Sequence, residues 1–205
     1  MGCDIHCYIE FKEKDDNRWR SFGERINPGR NYLMFAVLAG VRTDNPSDAL
    51  IPARGPLNDM GFSADNDAYL YIHDTDGEHS EGTTKERAKD FVEKQGCHYK
   101  NNNEGKPTWV SHPDWHSHSW LTTAEFKAAL ERYTVLEVKD WEEEESYRKE
   151  DIKKWREAGD ADSVIAMLEK PMPHDIAPGY QAVLAAMQKF EELGFDCRLV
   201  FWFDN

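Results

Sequence analysis

Asp4-Ile5-His6 opens a segment, Asp4 to Lys12, in which polar and apolar residues alternate. In an extended chain the two-residue period puts Asp4, His6, Tyr8 and Glu10 on one face and Ile5, Cys7, Ile9 and Phe11 on the other. A carboxylate oxygen beside an imidazole nitrogen offers a hard and a borderline ligand to one divalent ion, and metallophosphoesterases use a D-x-H pair in this way. The GDxxD and GNHE signatures of those enzymes are absent. A second concentration is His112, Asp114, His116 and His118, where three of the eight histidines fall within seven residues. If that segment is extended, all four share parity, as metal ligands would. As hydrogen-bonding groups, His116, Ser117 and Ser119 would instead hold a phosphate or a base, with Trp115 or Trp120 stacking on it. The plainer reading is a polar loop before a helix, with Trp120 and Leu121 in the core. The third constellation is the closing RLVFWFDN, whose Arg198, Val200, Trp202 and Asp204 share a face. If this strand pairs with the first, Asp4, His6, Arg198 and Asp204 line one polar surface.

The elements that must position these residues are legible in outline. Asn27-Pro28 reads as N-cap and first helical residue of a short buried helix closed by Gly40. Thr43 to Asp67 is rich in Pro, Gly, Asn and Asp, as a long loop is. Ala68 to His73 is a strand candidate, and Thr83 with Glu86 forms a capping box for a helix through Glu93. Thr122 with Glu125 opens another helix, after which Thr134 to Val138 reads as a strand. Residues 139–175 form a charged helical insertion with a solvated face. Tyr180 to Leu193 is an amphipathic helix, and Cys197 to Phe203 is a strand apolar enough to be central. The expected fold is one α+β domain over residues 1–205, with a mixed or antiparallel sheet holding both terminal strands and helices on one face.

The 205 residues carry 25 basic and 39 acidic side chains, a net charge of −14. Such a chain does not bind duplex nucleic acid or an anionic membrane through its overall field, because that affinity comes from many Lys and Arg contacts. The deficit is uneven. Residues 1–60 hold 8 basic and 9 acidic groups, and Arg18, Arg20, Arg25, Arg30, Arg42 and Arg54 all lie there. Arginine suits bidentate recognition of phosphate, so an anionic small molecule remains a candidate partner. No apolar run is long enough to span a bilayer, and MGCDIHCYIE has neither the basic nor the apolar region of a secretory signal. Four cysteines without a CxxC pair point to a reduced, cytoplasmic protein. A G-x-S-x-G elbow, a P-loop and a dinucleotide fingerprint are all absent.

The opening MGCDIH, the segment from Arg30 to Arg42, the loop around Arg54, HSHSWLT and the closing RLVFWFDN together resemble a family of uncharacterised bacteriophage proteins. The resemblance spans both ends and the middle and skips residues 139–175. It implies expression in a bacterial host cytoplasm and interference with host metabolism or defence. By motif position it points to Asp4, His6, Arg42, Arg54, His116, Ser117, Ser119, Trp120 and Asp204, and it brings no settled activity.

The leading expectation is a metal-dependent hydrolase of a phosphate-containing small molecule, such as a nucleotide or cyclic-nucleotide signal. Asp4, His6, His116 and His118 would hold the divalent metal ion. His116, Asp204 and Arg42 would act in catalysis, and Arg42, Arg54, Ser117, Ser119, Trp120 and Arg198 would bind the ligand. The alternatives are a protein that sequesters a nucleotide-like ligand without chemistry and an acidic module that engages a host protein.

Overall fold

The structure, a computed structural model, describes residues 2–74, 82–160, 162–163 and 177–204. Strand β1 (Ile5–Glu13) is the expected alternating segment. It pairs antiparallel along its whole length with β8 (Phe195–Phe203), from Ile5 opposite Phe203 to Glu13 opposite Phe195. The short β2 (Arg20–Ser21) adds to the free edge of β1, and β7 (His116–Thr122) adds to β8. The order β2-β1-β8-β7 makes β8 central, as its apolar density requires.

One face of this sheet, with Ile5, Cys7, Ile9, Leu199, Phe201 and Phe203, is buried under three helices. Helix α1 (Tyr32–Ala39) is apolar on all sides and enclosed. Its N-cap is Asn31, whose side chain accepts from the Met34 N–H, and not the expected Asn27. Asn27 instead accepts from the Gly29 N–H, closing a turn that holds Pro28 outside the helix. Helix α4 (Thr123–Ala158) starts at the expected capping box of Thr122 and Glu125. It then runs 36 residues to Gly159, straight through Thr134–Val138, which the sequence marks as a strand. Its β-branched residues express only a weak preference, and no Gly or Pro interrupts the established hydrogen-bond ladder. Residues 139–158 of the expected insertion therefore continue α4, and 161 and 164–175 lie outside the described residues. The third helix, α5 (Pro178–Glu192), begins with its proline, two residues before the expected Tyr180.

The other face of the sheet is not solvated. His6, Tyr8, Val200 and Trp202 are buried beneath helix α2 (Phe62–Ala68) and a second sheet, which the sequence reading lacked. That sheet has the order β4-β3-β6-β5, built from β3 (Tyr69–His73), β4 (Thr83–Thr84), β5 (Tyr99–Asn101) and β6 (Pro107–Ser111). Helix α3 (Lys85–Gln95) covers it through Ala88 and Phe91, and is capped by Thr84 where Thr83 is expected. Helix α2 sits inside the presumed loop 43–67, and Gly61 lets it approach the main sheet. A side chain on Gly61 would stand 2.5 Å from the Ser21 backbone nitrogen. Among the described residues no helix is long and apolar enough to cross a membrane.

Candidate functional site

The pairing of β1 with β8 joins the two ends of the chain at His6. Its Nε2 lies 3.3 Å from a carboxylate oxygen of Asp204, whose other oxygen accepts the Asp4 backbone N–H at 2.7 Å. Helix α2 delivers Asp67 to the opposite ring nitrogen, Nδ1, also at 3.3 Å. Tyr8, two residues along the same face of β1, donates its hydroxyl to the same Asp67 oxygen at 2.8 Å. Ile26 pairs with Cys7, which lays Arg25 beside β1 and brings its Nη1 within 2.9 Å of His6 Nδ1. Trp115 closes the remaining side, its ring 4.3 Å from the imidazole and its indole N–H donating to the Asp67 carbonyl. His6 is thereby only 2% exposed.

A guanidinium only donates. Arg25 Nη1 also lies 3.3 Å from Nε2, so the guanidinium sits against both ring nitrogens, each of which has a carboxylate beside it. When His6 takes a second proton, both nitrogens donate, one to each carboxylate. Burial pushes the Asp67 carboxyl up, but hydrogen bonds from His6 and Tyr8 outweigh it and hold Asp67 below the usual carboxylate range. Burial and the Asp67 carboxylate both push the Tyr8 hydroxyl up. Beside this cluster lies a 500 Å³ pocket, lined among others by Tyr8, Arg25, Ser63, Asn66 and Asp67.

The residues expected to hold a metal ion do not meet. Asp4 is clasped bidentately by Arg30, at 2.8 and 2.7 Å, and this partner holds its carboxyl below the ordinary range. The nitrogens of an imidazole point apart, so Asp67 and Asp204, on opposite nitrogens, cannot share one ion with His6. Among the described residues no group of three or more His, Cys, Asp or Glu side chains is arranged to hold a metal. The residues present do not fit the expected ion.

The histidine segment is only partly extended. Residues 112–115 turn, with the Trp115 N–H donating to the His112 carbonyl, and the strand begins at His116. His116 lies opposite Phe203 and Ser119 opposite Phe201, so two residues of β7, Ser117 and His118, face the single Trp202 of β8. Ser117 absorbs this bulge with φ +51°, a strained value for a residue with a side chain. Parity is broken as a result: His116 stacks on Phe203 and His118 on Trp202, neighbours on β8 that point to opposite faces. Burial, reinforced by the nearby His98 and His116, lowers the His118 pKa to about 4, so it is neutral at pH 7.

The expected ligand-binding residues have partners within the fold. Arg198 is buried against Glu10 at 2.7 Å, donates to the Asp59 carboxylate and carbonyl, and stacks on Trp19. Arg54 binds the capping Glu125 and the Trp120 carbonyl and stacks on the Trp120 ring. Ser119 accepts from the Arg54 backbone N–H, and the Ser117 hydroxyl lies 3.0 Å from His116 Nδ1. Arg42 reaches the Gly2 carbonyl and lies over Tyr32. Of the expected site, His6 and Asp204 come together, and His116, Ser117 and His118 share a separate cavity. Asp67, Arg25 and Tyr8 were missed as site residues: Asp67 lies 61 positions from His6, and no spacing rule links them.

Comparison with protein-family models, with curated proteins and with solved structures finds no match.

Proposed function

We propose that the chain hydrolyses a small phosphate-containing molecule, with His6 as the proton acceptor and no metal ion in the step. The observation that supports the reading is the buried imidazole flanked by Asp204 at Nε2 and Asp67 at Nδ1, with the Arg25 guanidinium against both nitrogens. A phosphoryl group arriving through the adjoining pocket draws the Arg25 guanidinium onto its own oxygens, because phosphate is the better acceptor for a charged fork. With the guanidinium drawn away, the imidazole takes a proton from a water molecule as that water's oxygen bonds to phosphorus. The ester P–O bond breaks, and the leaving oxygen receives the proton back from His6. Asp204 and Asp67 orient the imidazole, and Arg25 offsets charge developing on the phosphoryl oxygens. The resemblance to a bacteriophage family, which brings no activity of its own, would set such a reaction against host metabolism or defence.

The test is incubation of the purified chain with cyclic mononucleotides, cyclic dinucleotides and nucleoside phosphates, with and without EDTA, and chromatography of the products. The expected result is EDTA-resistant cleavage of at least one member, reduced by about 10²–10⁴ in His6→Gln and in Asp204→Asn. Full activity in His6→Gln, or cleavage that EDTA abolishes, would refute this assignment. Recovery of every compound intact would return the chain to the class of ligand-sequestering proteins.

A further inference from the structure

The pocket beside the His6 cluster holds three side chains that the proton-transfer step does not use. Phe62 opens helix α2 and Asn66 follows it one turn later, so the two are neighbours on one face of that helix, and both line the pocket together with Glu24. Phe62 is 85% exposed. Asn66 and Glu24 are exposed as well, and their side chains have no hydrogen-bond or ion-pair partner among the described residues. The pocket's other charged groups, Arg25 and Asp67, are already engaged with His6. A single exposed ring is ordinary on a protein surface. This one shares a pocket with an unengaged amide and an unengaged carboxylate, which sets it apart.

The chemistry of these three groups describes an occupant. A freely exposed phenyl face takes a flat ring by stacking. A carboxylate has acceptors only, and its two oxygens lie side by side. They match a ring edge that offers two N–H donors next to each other and oppose one that puts a lone pair there. Among the common nucleobases guanine has such an edge, in its N1–H and 2-amino group. Adenine and cytosine place a ring lone pair beside their amino group, and uracil flanks its one N–H with carbonyls. The Asn66 amide can donate to the neighbouring O6 of guanine. Glu24 also repels phosphate, so the anionic end of such a ligand lies away from it, toward Arg25. Helix α2 sets the interval: Phe62 and Asp67, the latter against His6, are about 7.5 Å apart along the axis, the span of a sugar between a base and its phosphate. The volume of 500 Å³ lies within the ~300–1,000 Å³ of small-molecule sites.

We infer that Phe62, Glu24 and Asn66 form a base site for guanine, which makes a guanine nucleotide, linear or cyclic, the substrate class of the proposed hydrolase. The inference rests on that reading for the place of the phosphoryl group, at Arg25 and His6, and on the three exposed side chains for the base.

The test is calorimetric titration of the full chain with GMP, cyclic GMP, IMP, AMP, CMP, UMP and ribose 5-phosphate in EDTA, with chromatography of each mixture afterwards. GMP or cyclic GMP should bind with Kd below ~1 mM. Binding should be at least about tenfold tighter than that of IMP, which lacks the 2-amino group, and of ribose 5-phosphate, which lacks the base. The tighter of the two guanine compounds identifies the linear or the cyclic form as the ligand. Phe62→Ala should weaken its binding about 5–100-fold, and Glu24→Gln should erase most of the preference over IMP. Both positions are exposed, so both variants should fold as the wild type does, which circular dichroism checks. The inference is overturned if ribose 5-phosphate binds as tightly as GMP, if guanine-nucleotide affinity is unchanged in Phe62→Ala, or if no guanine nucleotide binds. Cleavage without base preference would overturn it and leave the hydrolase reading standing, and selective binding of GMP and cyclic GMP without cleavage of any compound would do the reverse.

Discussion

Acidification should cost this protein stability through His118, and the size of the effect can be worked from its surroundings. The ring is enclosed against Trp202 and near His98 and His116, and its pKa falls from the ordinary 6.5 to about 4. The folded pKa of this base is depressed, so between those two values the unfolded chain binds a proton that the folded chain refuses. Stability therefore rises with pH across that window and is lost as pH falls through it. At pH 5 the linkage relation gives a loss of ~2 kcal/mol relative to pH 7.5, tending toward ~3 kcal/mol below pH 4. Urea unfolding of wild type and His118→Gln at pH 7.5, 6.5, 5.5 and 5.0 measures it. Groups common to both proteins cancel in the difference. The wild-type midpoint should fall by about 1 M urea more than the variant's between pH 7.5 and 5, for an m-value near 2 kcal/mol/M. Midpoints that fall in parallel would refute the reasoning, because the imidazole would then be protonating freely in the folded state.

Two further perturbations probe the elements that hold the site. Arg198→Ala strips the buried Glu10 of its cation and leaves a carboxylate, already pushed up by burial, with the Gly61 N–H as its remaining partner. A loss of about 3–5 kcal/mol in denaturant unfolding at pH 7 is expected, and a loss under 1 kcal/mol would show that the pair is not structural. Thr122→Ala removes one half of the capping box that starts α4 and should cost about 1 kcal/mol in the same assay, with the helix signal retained; a change within 0.3 kcal/mol, below the ~0.5 floor for such caps, would deny the cap its role.

Much of the local structure is legible because its causes are local. The alternation that makes β1, the capping box of α4 and the glycine that closes α1 each act within a few residues. Thr134 to Val138 shows the limit: β-branched residues lower helix propensity only slightly, and a helix already nucleated at Thr122 runs on through them. The site was legible at its two ends alone. D-x-H and FDN could be placed face to face once their strands were paired, and there His6 meets Asp204.

What the sequence by itself determined is the two terminal strands, the capping box of α4, the glycine that closes α1, the central place of the closing strand, and the neighbourhood of His6 and Asp204. Only the tertiary structure decided that Asp67 and Arg25 complete that neighbourhood, that Arg198 belongs to Glu10, and that His116 and His118 part company. The physical reason is that periodicity records which way a side chain leaves its own strand and says nothing of which distant segment it meets. A single extra residue is enough to reverse that record. The bulge at Ser117 turns the even spacing of His116 and His118 into opposite faces of one sheet.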